Sequence, residues 1–224
     1  MKQELFARFR LRNKRRAAPG FSLVEMLIGS AVFVVVLLAI YMILDTSRAD
    51  YAMGAARSDV QENIRVALES MARELRMAGY APTNTPNADC AAPPCGVTAL
   101  TASAVTFQAD LDGNTQTDKV EYAFAAPTNL TKPCDPSDAT TVGRITRSAQ
   151  SWAAGAWSPV TPTAYDVAQC VKAVTITYRD STGAATAVAA NVRRITISIQ
   201  GEENTRGHTP RTYALATDVW LRNF

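Results

Sequence analysis

The stretch Gly20–Leu44, GFSLVEMLIGSAVFVVVLLAIYMIL, decides how the chain is read. From Met26 to Leu44 it carries no charge and consists mostly of Leu, Ile, Val, Phe, Met and Ala. As a helix, Phe21–Leu44 would be roughly 36 Å long at about 1.5 Å per residue, enough to cross a hydrocarbon core of about 30 Å. Glu25 is the exception, a carboxylate one turn inside the apolar run. At mid-bilayer depth it costs on the order of 3 kcal/mol on insertion scales. A plain anchor has no use for that cost, whereas a segment that later finds a partner for the carboxylate does.

The string Gly20-Phe21-Ser22-Leu23-Val24-Glu25, followed by an uncharged span, resembles the processing site of type IV pilins and type II secretion pseudopilins. The resemblance implies that a membrane-embedded aspartyl peptidase cuts after Gly20 and that the new N-terminus, Phe21, is methylated. It also implies that Glu25, now the fifth residue, pairs in the assembled filament with the N-terminal amine of a neighbouring subunit. A cleaved secretory signal is the simpler reading of an apolar N-terminal run. It fits poorly, because such signals have a short apolar region followed by small residues at the cut. A single-pass anchor fits the length and leaves Glu25 unexplained.

Residues 1–20 form a basic leader in which Lys2, Arg8, Arg10, Arg12, Lys14, Arg15 and Arg16 stand against Glu4, a net charge of +6. The whole chain is +3, so removal of the leader leaves +3 minus +6, or −3. The positive charge thus reads as a topology signal that keeps the leader cytoplasmic and sends everything after Leu44 across the membrane. A basic arm for nucleic acid is the competing reading, and the acidic mature chain argues against direct nucleic-acid binding.

Residues 45–80 extend the helix in amphipathic form. Val60, Ile64, Leu68, Met71 and Leu75 recur at steps of four, four, three and four, one apolar stripe. Arg57, Asp59, Glu62, Arg65, Glu69, Arg73 and Glu74 take the other faces, with Glu69 and Arg73 in the favourable i, i+4 order. Gly79, with Pro82 beyond it, is a stop signal. Phe21–Ala78 would make a rod of roughly 87 Å at about 1.5 Å per residue. Gly29 and Gly54 weaken it by about 1 kcal/mol each relative to Ala, or simply permit close helix packing.

The strings Gln61-Glu62-Asn63-Ile64-Arg65-Val66-Ala67-Leu68-Glu69 and Met71-Ala72-Arg73-Glu74-Leu75-Arg76-Met77-Ala78-Gly79-Tyr80 are similar to the end of the long helix in PilW-type minor pilins. The last third, Val171–Arg179, Val192–Gln200 and the terminal Thr217-Asp218-Val219-Trp220-Leu221-Arg222-Asn223, resembles the closing strands of the same proteins. The resemblance covers both ends of the chain and leaves residues 81–170 unplaced.

Residues 81–224 change texture toward Ala, Thr, Val and Ser, and read as one exported β-rich domain. Strands are expected at Ala104–Gln108, Lys119–Phe124, Val142–Ser148, Ala173–Arg179, Val192–Gln200 and Tyr213–Leu221, where β-branched or aromatic residues nearly alternate with others. Ser181-Thr182-Gly183 and Gly201–Gly207 read as connecting loops. The expected fold class is α+β, a long N-terminal helix, transmembrane in its first half, packed on a mainly antiparallel sheet.

Cys90, Cys95, Cys134 and Cys170 all fall in the exported part, where an even count favours two disulfides. Three connectivities are open, and Cys90–Cys95 with Cys134–Cys170 is the preferred one. Zinc is a poor alternative, since the cysteine spacing does not suit it and His208 is the only histidine. The run Asp110–Asp118 sets Asp110, Asp112, Asn114 and Asp118 at calcium-loop intervals. It lacks the EF-hand glycine, although Glu121 falls twelfth counted from Asp110. A tight turn at Asp112-Gly113 between two strands explains the same residues, with calcium as a weaker addition, and no other cofactor is expected.

No phosphate loop, GxSxG elbow or HExxH helix occurs, so the chain does not read as an enzyme. The expected function is that of a minor pilin held in the inner membrane with its C-terminal domain periplasmic, then carried to the pilus and cell surface. Its partners would be the prepilin peptidase, major and minor pilins and a tip adhesin. A minor pseudopilin of type II secretion and a membrane-anchored binding domain are the alternatives.

Overall fold

The computed structural model describes residues 20–80, 87, 89, 96–125, 142–158, 164–203 and 211–223. Contacts divide the chain into two compact units, Met1–Asp50 and Tyr51–Phe224. One helix, α1 (Leu23–Leu75), belongs to both.

In the first unit α1 stands without any other described element, and every residue from Gly20 to Asp50 is exposed. By length and composition α1 can cross a membrane. The hydroxyls in and just beyond the apolar run do not oppose this. Ser30 donates to the Leu27 carbonyl (2.9 Å), Thr46 to Met42 (2.9 Å) and Ser47 to Ile43 (2.8 Å), so each is satisfied by its own helix.

In the second unit the expected stripe is the buried face: Val60, Ile64, Leu68, Met71 and Leu75 are all in the core, with Ala67, Ala72 and Ala78 beside them. They pack on a sheet built from β1 (Val97–Leu100), β2 (Ala104–Ala109), β3 (Asp118–Ala125), β4 (Gly143–Ala153), β5 (Ala156–Trp157), β6 (Tyr165–Arg179), β7 (Arg194–Glu203) and β8 (Arg211–Trp220). The order is β1-β2-β3-β4-β6-β7-β8, with β5 attached to β4, and all these pairings are antiparallel. This is the α+β architecture of pilin type that the sequence led us to expect.

Strand β7 shows why the sheet forms. Ile195, Ile197 and Ile199 are fully buried while Thr196, Ser198 and Gln200 turn the other way. Each buried isoleucine contributes about 1.5–3 kcal/mol of transfer free energy. The helix can approach β7 only because Gly201 lacks a side chain. A Cβ there would lie 2.2 Å from Ile64 Cδ1 and 2.8 Å from Val60 Cγ1.

The helix end is closed by the other end of the chain. Gly79 takes φ +84°, and its N–H donates to the Gln108 carbonyl on β2 at 2.9 Å. Asn223 Nδ2 donates to the Met77 and Ala78 carbonyls at 3.4 and 3.3 Å, and a Cβ on Gly79 would meet the Asn223 carbonyl at 2.4 Å. Two of the strings that carry the PilW-type resemblance therefore touch.

Several expectations need correction. The strand expected at Ala173–Arg179 begins at Tyr165, and the one at Val142–Ser148 continues to Ala153. Gly201–Glu203, read as loop, continues β7 in register with Arg211–Tyr213. Strands β1 and β5 lie outside the expected set. Glu74 does not sit on a solvent face: its carboxylate accepts from Tyr122 Oη (2.8 Å) and Arg147 Nε (2.9 Å). Among the described residues no ion pair joins Glu69 to Arg73, because those that form lie elsewhere.

Candidate functional site

The N-terminal site is built by the start of α1. Gly20 and Phe21 precede the helix in irregular, exposed backbone, and the Met26 N–H donates to the Ser22 carbonyl at 3.1 Å. Phe21 is 86% exposed. Glu25 lies in the first turn, where the partial positive charge of the helix N-terminus favours a carboxylate. Beyond it the exposed surface is apolar as far as Leu44. The arrangement offers one anionic side chain on an otherwise apolar rod, and among the described residues no cation is paired with Glu25.

Residues 15–41 match the family model described as the prokaryotic N-terminal methylation motif. The chain carries a prepilin-type N-terminus. The match spans the expected cut, Glu25 and most of the apolar run, and supports a type IV pilin-like protein, pilin or pseudopilin. Proteins of this kind are structural subunits, so interaction with pilins and with the prepilin peptidase follows in general terms. The prepilin-type N-terminus and the apolar helix are consistent with inner-membrane anchoring. No curated protein matches the chain.

The second candidate is the loop between β2 and β3. Carboxylate oxygens of Asp110, Asp112 and Asp118 lie within 4.8 Å of one another. Asp110 accepts the N–H groups of Gly113 (2.8 Å) and Thr115 (3.1 Å). Asp118 accepts the Leu111 N–H (3.3 Å) and the Ser151 hydroxyl (2.5 Å). Asn114 joins through its side-chain nitrogen to Asp112 (2.7 Å) and its oxygen accepts from Gln116 N–H (2.7 Å). The connection is not the expected two-residue turn, since Ala109 pairs with Asp118 and eight residues intervene. The carboxylates instead close a wider loop, with Gly113 and Thr115 at φ +74° and +71°. Burial pushes the Asp118 carboxyl upward, opposed by Ser151 and Leu111 and reinforced by the charges of Asp112 and Asp110. The hydrogen bonds hold the loop in shape, and its three carboxylates lie close enough together to hold a metal ion.

Cys170, buried on β6, is disulfide-bonded, with its partner outside the described residues. Cys90, Cys95 and Cys134, like His208 and the basic leader, also lie outside them. Sequence reasoning missed the Glu74–Arg147–Tyr122 cluster altogether. Each member looks ordinary in its own segment, and only the fold brings them together.

Proposed function

We propose that the chain is a minor pilin of PilW type, a structural subunit that primes or caps a type IV pilus. Glu25 carries this reading: it is the one charge between Phe21 and Leu44, in an exposed apolar stretch of helix, five residues after the processing-site glycine. After cleavage the Phe21 amine and Glu25 of adjacent subunits would pair as their helices bundle, relieving the buried charges and fixing axial register. The exported domain would meet other minor pilins or a tip adhesin. The similarity of residues 61–69, 71–80, 171–179, 192–200 and 217–223 to PilW-type proteins favours the pilus over the secretion filament.

The test is the mature N-terminus. Intact-mass analysis of protein from membranes should find a chain beginning at methylated Phe21, and Gly20→Val should leave uncut precursor. A mature N-terminus at any other residue overturns the reading.

A further inference from the structure

We propose that the outer edge of β8 takes up an extended, acidic segment of another protein as an added strand. The two ends of the sheet differ. At one end β1 has four residues and an irregular register between Val97 and Ala99, the usual means of blunting an edge. At the other, β8 pairs with β7 over ten consecutive residue pairs, Arg194 with Trp220 through Glu203 with Arg211, without a register shift. Among the described residues no strand pairs with its far side. It holds no proline and no lysine, the residues that commonly protect such an edge.

The register fixes which backbone groups are offered. Leu221 N–H donates to the Arg193 carbonyl at 2.9 Å. In an antiparallel ladder such bonding alternates, so the odd-numbered residues of β8 face β7. Thr212, Ala214, Ala216, Asp218 and Trp220 then direct N–H and C=O outward. Three of these have small side chains that would not obstruct an incoming strand.

A groove of about 400 Å³ runs beside this edge, between the helix and Leu215, Ala216 and Thr217. Its helix side carries Arg65, Arg73 and Arg76 against Glu69, all exposed, over an apolar floor of Leu68 and Ala72. The three arginines make no ion pair among the described residues. An added strand would project alternate side chains into this groove, and the net positive lining selects carboxylates there. A second copy of this chain is the poorer occupant. Edge-to-edge pairing of two β8 strands would bring two sets of these arginines together. The proposal concerns the exported domain alone and does not depend on the pilus reading.

The experiment uses the detergent-solubilised full chain and a synthetic peptide of alternating glutamate and valine, with a lysine–valine peptide as control. Amide exchange is read at Ala214, Ala216 and Asp218. In the free chain these amides should exchange fast, and the glutamate peptide should slow them about tenfold while the lysine peptide does not. Ala216→Pro removes an outward N–H without touching the β7 ladder and should abolish the effect with little change in the thermal midpoint. Arg73→Glu, which leaves the backbone intact, should weaken it. Absence of protection by the glutamate peptide, or equal protection by both peptides, overturns the proposal. So does protection already present in the free chain: if independent of concentration, the chain covers its own edge, and if rising with concentration, a second copy does.

Discussion

At the residue scale the polar groups of the second unit divide by what surrounds them. Glu74 is half-buried and holds two partners from different strands, so it ties the helix to β3 and β4. The Tyr122 and Tyr178 phenols are pushed well above their usual range, chiefly by burial, and both stay neutral and donate hydrogen bonds. Asp118 is a buried carboxyl whose titration bears on stability. Its native pKa lies above the ordinary aspartate value, through burial first and through Asp112 and Asp110 in addition. The native state therefore keeps a proton that the unfolded chain releases. The associated stability is present below the unfolded pKa and is lost as pH rises through the raised native value. Asp118→Asn removes that titration. Thermal unfolding from about pH 3 to about pH 7 should show the variant gaining on the parent as pH rises. A constant difference across the range would mean that Asp118 titrates normally.

At the element scale the helix stripe was legible because its spacing is unambiguous, and all five stripe residues are buried. The strands with clean alternation, above all Ile195, Ile197 and Ile199, were equally plain. The first half of β6 was not, because alternation breaks where Cys170 and Val171 are buried in succession and Cys170 takes φ +60°. Strands β1 and β5, at four and two residues, are too short to carry a period. Gly201 misled for a different reason. As a glycine beside polar residues it signals a loop, yet it lies within β7 because the helix leaves no room for a Cβ. Gly201→Val should therefore destabilise the domain by about 1–3 kcal/mol, the usual range for overpacking. The loss should be partly recovered in the double variant with Ile64→Ala, which removes the Cδ1 atom that a Cβ at Gly201 would meet at 2.2 Å. Chemical unfolding of the four proteins measures this. Simple additivity of the two losses would refute the close approach as the cause.

At the scale of the whole molecule, the two units have opposite requirements. The second buries its stripe in its own core, whereas the first leaves every side chain from Gly20 to Asp50 exposed. Apolar surface of that extent needs lipid or other helices to cover it. Lipid serves the apolar run but not Glu25, for which the proposed partner is the N-terminal amine of a neighbouring subunit. Glu25→Ala should therefore be processed normally and insert at least as well as the parent, since a burial cost is removed. Its loss should appear in filaments. Leaving a neighbouring amine unpaired in a buried setting typically costs about 3–5 kcal/mol, so incorporation should fall by an order of magnitude or more. A subunit at the tip has fewer neighbours to pair with, and the fall will be smaller there. The measurement is the ratio of this protein in sheared pili to that in membranes, variant against parent. An unchanged ratio would detach Glu25 from assembly and leave a membrane-anchored binding domain as the better account of the chain.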